Sequence, residues 1–287
     1  MPNRLIIRLT GGVGNQLFQY AFGRVKSFQD SRALILDKLS YELKNERKLG
    51  RKFALDQFHI AAIEPAIRDR LYIRAMNTRF LSRFIRMLSR SYVREDTFDR
   101  DMYKLAHACP YVTGYWQSYE YFDCFRDLIR SDLTFKTSVD HEPLAHMIHA
   151  AGQGAVMLHI RRGDYLTDSN HRVLGFEYYQ RAVAQLAQAY ASDLTIFVFT
   201  DDPEWARQNV SFDGVAVVIA ADYRDDAERD LQLMTMCYHH ILANSSFSWW
   251  SRYLSKDAGV CIAPKNWHIP GSNKEIARLI PPHWVLL

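Results

Sequence analysis

No window of this chain approaches 18 uninterrupted apolar residues, so no spanning helix is expected. Met1-Pro2-Asn3-Arg4 runs straight into an apolar strand, with no hydrophobic region ahead of a cleavage site, which argues against a secretory leader. The four cysteines, Cys109, Cys124, Cys237 and Cys261, form no Cys-x-x-Cys pair and have no histidine at metal-ligand spacing. A zinc site is therefore not expected, and the default compartment is a reducing cytoplasm. Repeats and low-complexity tracts are also lacking. A 48% hydrophobic and 24% charged composition excludes extensive disorder.

Acidic residues are scarce in one stretch. Between Arg68 and Arg94 there are eight arginines and a single acid, Asp69, although the whole chain carries a formal net charge of only +4. Residues 66–93 read as helical, with Ile73, Met76, Phe80, Phe84 and Leu88 near one face. Arg79, Arg83, Arg86 and Arg90 follow 4-3-4 spacing beside them. A basic amphipathic helix suits peripheral contact with an anionic membrane face; the plainer alternative is a surface helix packed on its own domain.

The order of elements points to an α/β protein. A strand over 4–9, a glycine turn, a helix over about 17–28 and a strand over 33–36 make a βαβ unit. An aromatic cluster follows at Tyr111, Tyr115, Trp116, Tyr119, Tyr121, Phe122 and Phe125. Residues 136–153, with Pro143 and Gly152, are the best boundary, giving domains 1–150 and 151–287. The last residues are candidates for packing back on the first domain. From residue 155 onward short apolar runs alternate with helical segments, as in a parallel sheet covered on both faces. Two Rossmann-like domains facing each other across a cleft are the expected architecture.

The segment Gly154 to Tyr165 is the most informative. An apolar run from Ala155 to Ile160 ends in Arg161-Arg162-Gly163-Asp164, with His159 in the strand itself. Unpaired charges are costly to bury. Two guanidiniums at the carboxyl end of a parallel strand stand where such sheets bind ligands, and guanidinium grips phosphate with paired hydrogen bonds. A phosphate-bearing ligand is the direct reading.

Other motifs carry alternatives. Gly11-Gly12-Val13-Gly14-Asn15-Gln16 resembles a dinucleotide fingerprint but has Leu17 where the third glycine belongs, and it lacks the Lys-Ser/Thr of a P-loop. It is either a close backbone approach to a ligand, with Asn15 and Gln16 suited to sugar hydroxyls, or a structural βα turn. Thr200-Asp201-Asp202 closes a strand: Asp202, before Pro203, reads as a helix cap, and Asp201 as the functional candidate. The run Asp222, Asp225, Asp226, Glu228 and Asp230 is read as a solvated helix start rather than a metal site. Asn244-Ser245-Ser246-Phe247 opens a helix, either as an anion site or as an ordinary serine cap.

In order, residues 11–21, Gly114 to Ser118, His159 to Tyr165, Phe199 to Asp202 and Asn244 to Trp250 resemble the bacterial GDP-fucose-dependent α-1,2-fucosyltransferases, glycosyltransferase family 11. The resemblance spans nearly the whole chain. It implies a GT-B enzyme that inverts the fucose anomeric centre without a metal or other cofactor. By the same resemblance Arg161 would hold the β-phosphate of GDP-fucose, and His159 and Asp201 would help place the nucleoside. Ser245, Ser246 and Phe247 would complete the phosphate cradle. Arg162 would bind the donor or brace the site through a carboxylate such as Asp164. Asp164 is also the nearest candidate base. Gly12, Gly14, Asn15 and Gln16 would meet the sugar or the acceptor, a galactose-terminated glycan, lipid-linked in O-antigen-like synthesis. Alternatives are an α-1,6 or α-1,3 linkage and a non-catalytic nucleotide- or glycan-binding protein. No nucleic-acid partner is expected.

Overall fold

A computed structural model describes residues 3–43, 46, 50–78, 92–94, 109–166, 172–190, 193–222, 227–256, 259–267 and 276–287. The chain divides into two compact units, Met1–Lys136 and Thr137–Leu287.

The first unit holds a parallel sheet of β1 (Arg4–Arg8), β2 (Ala33–Asp37), β3 (Tyr92–Arg94) and β4 (Tyr111–Thr113), in the order β2-β1-β4-β3. Leu5, Ile6 and Ile7 are fully buried, as befits a strand covered on both faces. The helix Val13–Gln29 buries Leu17, Phe18, Ala21, Phe22 and Val25. It begins before Leu17 because Gly12 already accepts the backbone N–H groups of Asn15 and Gln16. The helix Ile67–Asn77 packs Ile73 and Met76 with Ile6, Ile35 and Tyr111.

The helix expected over 66–93 is thus corrected at its far end. Thr78 turns to an extended backbone, and Tyr92–Arg94 is strand β3, parallel to β4. Arginine spacing masked the strand preference of Tyr92 and Val93. Residues 79–91, with Arg79, Phe80, Arg83, Phe84, Arg86, Leu88 and Arg90, lie outside the described residues.

Among the described residues the second unit holds six parallel strands: β5 (Ala155–Ile160), β6 (Thr195–Thr200), β7 (Ala216–Ile219), β8 (His239–Ile241), β9 (Cys261–Ala263) and β10 (Val285–Leu286). Their spatial order is β10-β9-β8-β5-β6-β7. Counting β5 as the first strand, this is the doubly wound order 3-2-1-4-5-6, whose direction of winding reverses between β5 and β8. All six residues of β5 are buried. Val156, Leu158 and Ile160 pack with Tyr179, Leu186, Ile196 and Val198 in the main core.

The expected domain boundary moves. The helix Pro143–Ala151 belongs to the second unit, since Pro143 stands in its first turn and Gly152–Gly154 is a short 3-10 turn feeding β5. What resembled a linker is an ordered entry to the central strand. The last residues form an edge strand of the second unit: β10 runs parallel to β9, and Leu287 donates its N–H to Ala263 O at 3.0 Å. A two-residue strand is too short for periodicity to register.

Candidate functional site

His159, Arg161 and Arg162 stand at the carboxyl end of β5, and Asn244 to Phe247 follow β8, so both groups border the winding reversal. The two arginines differ. Arg161 places Nη1 3.0 Å from Asp201 Oδ2, and its side chain remains one-third exposed. Arg162 is committed: its N–H donates to Asp201 Oδ1 at 2.8 Å and its Nε to Asp202 Oδ2 at 3.0 Å. Its guanidinium lies 4.0 Å from the centre of the Trp205 ring.

Asp202 is thus a carboxylate that braces Arg162. The cause is register. Ile160 of β5 is paired with Thr200 of β6, so the Arg161-Arg162 and Asp201-Asp202 dipeptides leave their strands side by side. Asp202 also caps the helix Pro203–Asn209 by accepting the Trp205 N–H at 3.2 Å. Asp201 has both oxygens engaged in holding Arg161 and the turn that follows it. Gly163 is required by this closeness: a Cβ there would stand 2.7 Å from Asp201 Oδ2. Asp164 opens the short turn Asp164–Leu166, and its side chain lies outside the described residues.

His159 is buried, with its ring 5.7 Å from that of Phe247. Burial, helped by the Arg161 charge, lowers its pKa to about 3, so it is neutral at ordinary pH. Its Nδ1 is buried and has no hydrogen-bond partner among the described residues, and the same is true of Asn244 Oδ1. Asn244 Nδ2 is anchored on Arg172 O at 2.9 Å. Tyr165 donates its hydroxyl to Asn244 O at 3.1 Å, joining the loops after β5 and β8. Ser245 caps the helix Ser246–Leu254 through Oγ, which accepts the Phe247 N–H at 3.3 Å. Trp249 and Trp250 are fully buried and fix that helix in the core. Its amino end directs first-turn N–H groups and a positive partial charge outward.

In the first unit the glycine turn is mostly structural. Gly11 has φ +82°, and a Cβ on it would meet the Asn15 amide at 2.5 Å. Gln16 is fully buried and spent: Oε1 accepts from Ala54 N at 2.9 Å, while Nε2 donates to Lys52 O at 2.9 Å and Gly11 O at 3.2 Å. It is not offered to a sugar, because a buried amide must satisfy backbone groups first. Gly14 is buried as well, whereas Gly12 and Asn15 are partly accessible. Asn15 Oδ1 accepts from Gln117 Nε2 at 2.8 Å. Gln19, also buried, accepts from Thr10 N at 3.0 Å and donates to Gly114 O at 3.0 Å. These amides tie the loop after β1 to the loop after β4. In the latter, Trp116 has φ +54° and stacks on Phe22 with ring centres 3.7 Å apart, leaving Tyr115 exposed beside it.

The sequence model described as Glycosyl transferase family 11 matches residues 5–287. This chain belongs to glycosyl transferase family 11. An Escherichia coli family relative named alpha-1,2-colitosyltransferase is 31% identical over 280 residues, which cover 92% of each chain. Galactoside alpha-(1,2)-fucosyltransferase 1 of Ateles belzebuth is 27% identical over 289 residues, covering 96% of this chain and 71% of its own. The crystal structure of NodZ alpha-1,6-fucosyltransferase soaked with GDP-fucose has a TM-score of 0.50 and 17% identity, covering 88% of this chain and 92% of that one. That similarity concerns the fold alone.

In this family 11 chain, the motifs also hold residues that bind them to one another. Gln19, Gln117 and Tyr165 lie inside the motifs, but their role is to join one motif to another, which no single segment reveals. Trp205 had no sequence signal beyond following Pro203. Among the described residues no group of three His, Cys, Asp or Glu side chains could hold a metal. Asp222 pairs with Arg207 at 2.7 Å, and Asp225 and Asp226 lie outside the described residues, as does the Glu228 side chain.

Proposed function

We propose that this glycosyltransferase moves L-fucose from GDP-fucose to the 2-hydroxyl of a terminal β-galactoside, inverting the anomeric centre. The observation that carries the proposal is the grouping at the β5/β8 reversal. A pre-set, partly open Arg161, a buried neutral His159 and the amino end of the helix Ser246–Leu254 stand together there. This grouping suits a nucleotide diphosphate. Arg161 holds the β-phosphate, and first-turn N–H groups near Ser246 and Phe247 share the negative charge. The acceptor oxygen attacks C1 of fucose, and the C1–O bond to the β-phosphate breaks with its electrons leaving on GDP. Charge grows on that phosphate in the transition state, where a fixed guanidinium accelerates the reaction. His159 Nδ1 and Asn244 Oδ1 serve as neutral hydrogen-bonding groups for the nucleoside. Asp164 is the candidate base that takes the acceptor proton.

The acceptor side is assigned to the first unit, at the carboxyl ends of the adjacent strands β1 and β4. Gly12 and Asn15 are partly accessible there, and Tyr115 is exposed. A GT-B plan is part of the same proposal, as is a lipid-linked, O-antigen-like acceptor. A second reading, transfer of the 3-deoxy sugar colitose, is favoured by the colitosyltransferase relative.

The deciding experiment offers GDP-fucose and GDP-colitose to the enzyme with a panel of β-galactosides, with and without EDTA, and determines product linkage. An α-1,2-fucosyl product in EDTA is expected. An exclusive preference for colitose, another linkage, or strict dependence on added Mg²⁺ or Mn²⁺ would each overturn the corresponding part.

A further inference from the structure

The helix Ile67–Asn77 has a second face that the fold does not use. Asp69, Ile73 and Met76 are buried on one side. On the other, Ile67 is 80% exposed and Leu71 63% exposed, with Ile63 exposed just ahead of the helix. At 3.6 residues per turn Ile67 and Leu71 stand about 40° apart. Arg70 and Arg74 border them on one side and Arg68 on the other, all three exposed. The acids nearby do not neutralise this face. Asp69 is buried and paired with Arg4, and Glu64 lies 3.4 Å from Lys38. Among the described residues, none of the three arginines forms an ion pair; Arg70 only donates its Nε to Pro65 O at 3.0 Å.

Scattered exposed aliphatics are ordinary, but two neighbours on one helix face, framed by three guanidiniums without ion pairs, are not. The charge selects the occupant. A second copy docked on the same face by two-fold symmetry would bring like charges together. A bilayer with anionic headgroups offers phosphates to the rim and an apolar layer beneath it.

We propose that this face docks peripherally on an anionic lipid surface, with Ile63, Ile67 and Leu71 entering the acyl boundary while Arg68, Arg70 and Arg74 engage headgroup phosphates. No helix among the described residues is long and apolar enough to cross a membrane, so the contact is lateral. It stands independently of the donor assignment.

The test is flotation of the full chain with phosphatidylglycerol-containing vesicles against pure phosphatidylcholine vesicles at low and high salt. Selective flotation with the anionic vesicles, released by salt, is expected. Each guanidinium near the surface contributes roughly fivefold, so the triple change Arg68→Glu, Arg70→Glu, Arg74→Glu should cost at least about a hundredfold in partitioning. Ile67→Ser with Leu71→Ser should weaken binding with the arginines intact. Both variants should keep wild-type circular dichroism and transfer to a soluble acceptor. Absence of flotation at low salt overturns the proposal, as does equal binding to both vesicle types or wild-type binding by the charge-reversed variant. Sedimentation showing a dimer that the same substitutions abolish also overturns it, by giving the face to a second copy.

Discussion

Arg161 Nη1 lies 3.0 Å from Asp201 Oδ2, and the same carboxylate receives the backbone N–H of Arg162 at 2.8 Å. One aspartate thus fixes both the guanidinium and the turn that carries it. A donor phosphate would meet a cation already in place, so little reorganisation is needed at the moment of reaction.

The two adjacent arginines should separate experimentally. Arg161→Ala is expected to lower kcat/KM for GDP-fucose by ~100–1000-fold with circular dichroism unchanged. Arg162→Ala loses its Asp202 bond and its stacking on Trp205, so it should cost ~1–3 kcal/mol in urea denaturation and less than about tenfold in rate. Similar rate losses for both variants would show that they share one role.

Gly163→Ala probes the spacing between the two dipeptides. The added Cβ, 2.7 Å from Asp201 Oδ2, must push the carboxylate away from Arg161. GDP affinity measured by calorimetry should fall by about tenfold, roughly 1.4 kcal/mol, with little change in Tm. Unchanged affinity would mean that Asp201 does not position Arg161.

The buried glutamines of the first unit should behave as structural groups. Gln16→Ala removes the side-chain partner of the buried Ala54 N, and Gln19→Ala removes those of Thr10 N and Gly114 O. Each unsatisfied buried group costs ~1–3 kcal/mol, which denaturant midpoints will detect. Stability equal to wild type would refute this role.

Acid should weaken the fold through buried imidazoles. His159 and His240 are both lowered from 6.5 to about 3, chiefly by burial, with Arg161 and Arg252 adding at the respective sites. The unfolded chain takes up these protons below pH 6.5 and the folded chain only near pH 3. Stability is therefore full above 6.5 and falls as pH drops toward 3, by up to about 1.4 kcal/mol per pH unit for each imidazole. Tm should be flat from about pH 7 to 8 and decline steadily below about 6. His240→Asn should make that slope shallower; an unchanged slope would place the sensitivity elsewhere.

The α/β alternation of the second unit and the end of β5 were legible because buried parallel strands are continuous apolar runs, and Ala155–Ile160 is one of them. Arg161 and Arg162 were legible as a pair, yet their division of labour was not. It depends on the register of β5 against β6, which brings Asp202 to Arg162. Gln16 illustrates the same limit: an amide in a glycine turn suits a sugar or a backbone equally well until burial decides. The short strands β3 and β10 escaped because three and two residues are too few for a periodic signal.

The hydrogen bond from Tyr165 to Asn244 joins residues 79 positions apart. Such a contact forms only after a long loop has closed, and its entropy must be met before any gain is felt. A folding intermediate holding β5 to β7 alone would have Arg161 and its aspartates but neither Asn244 nor the capped helix. Nucleotide binding during refolding would therefore report the joining of the two halves of the sheet.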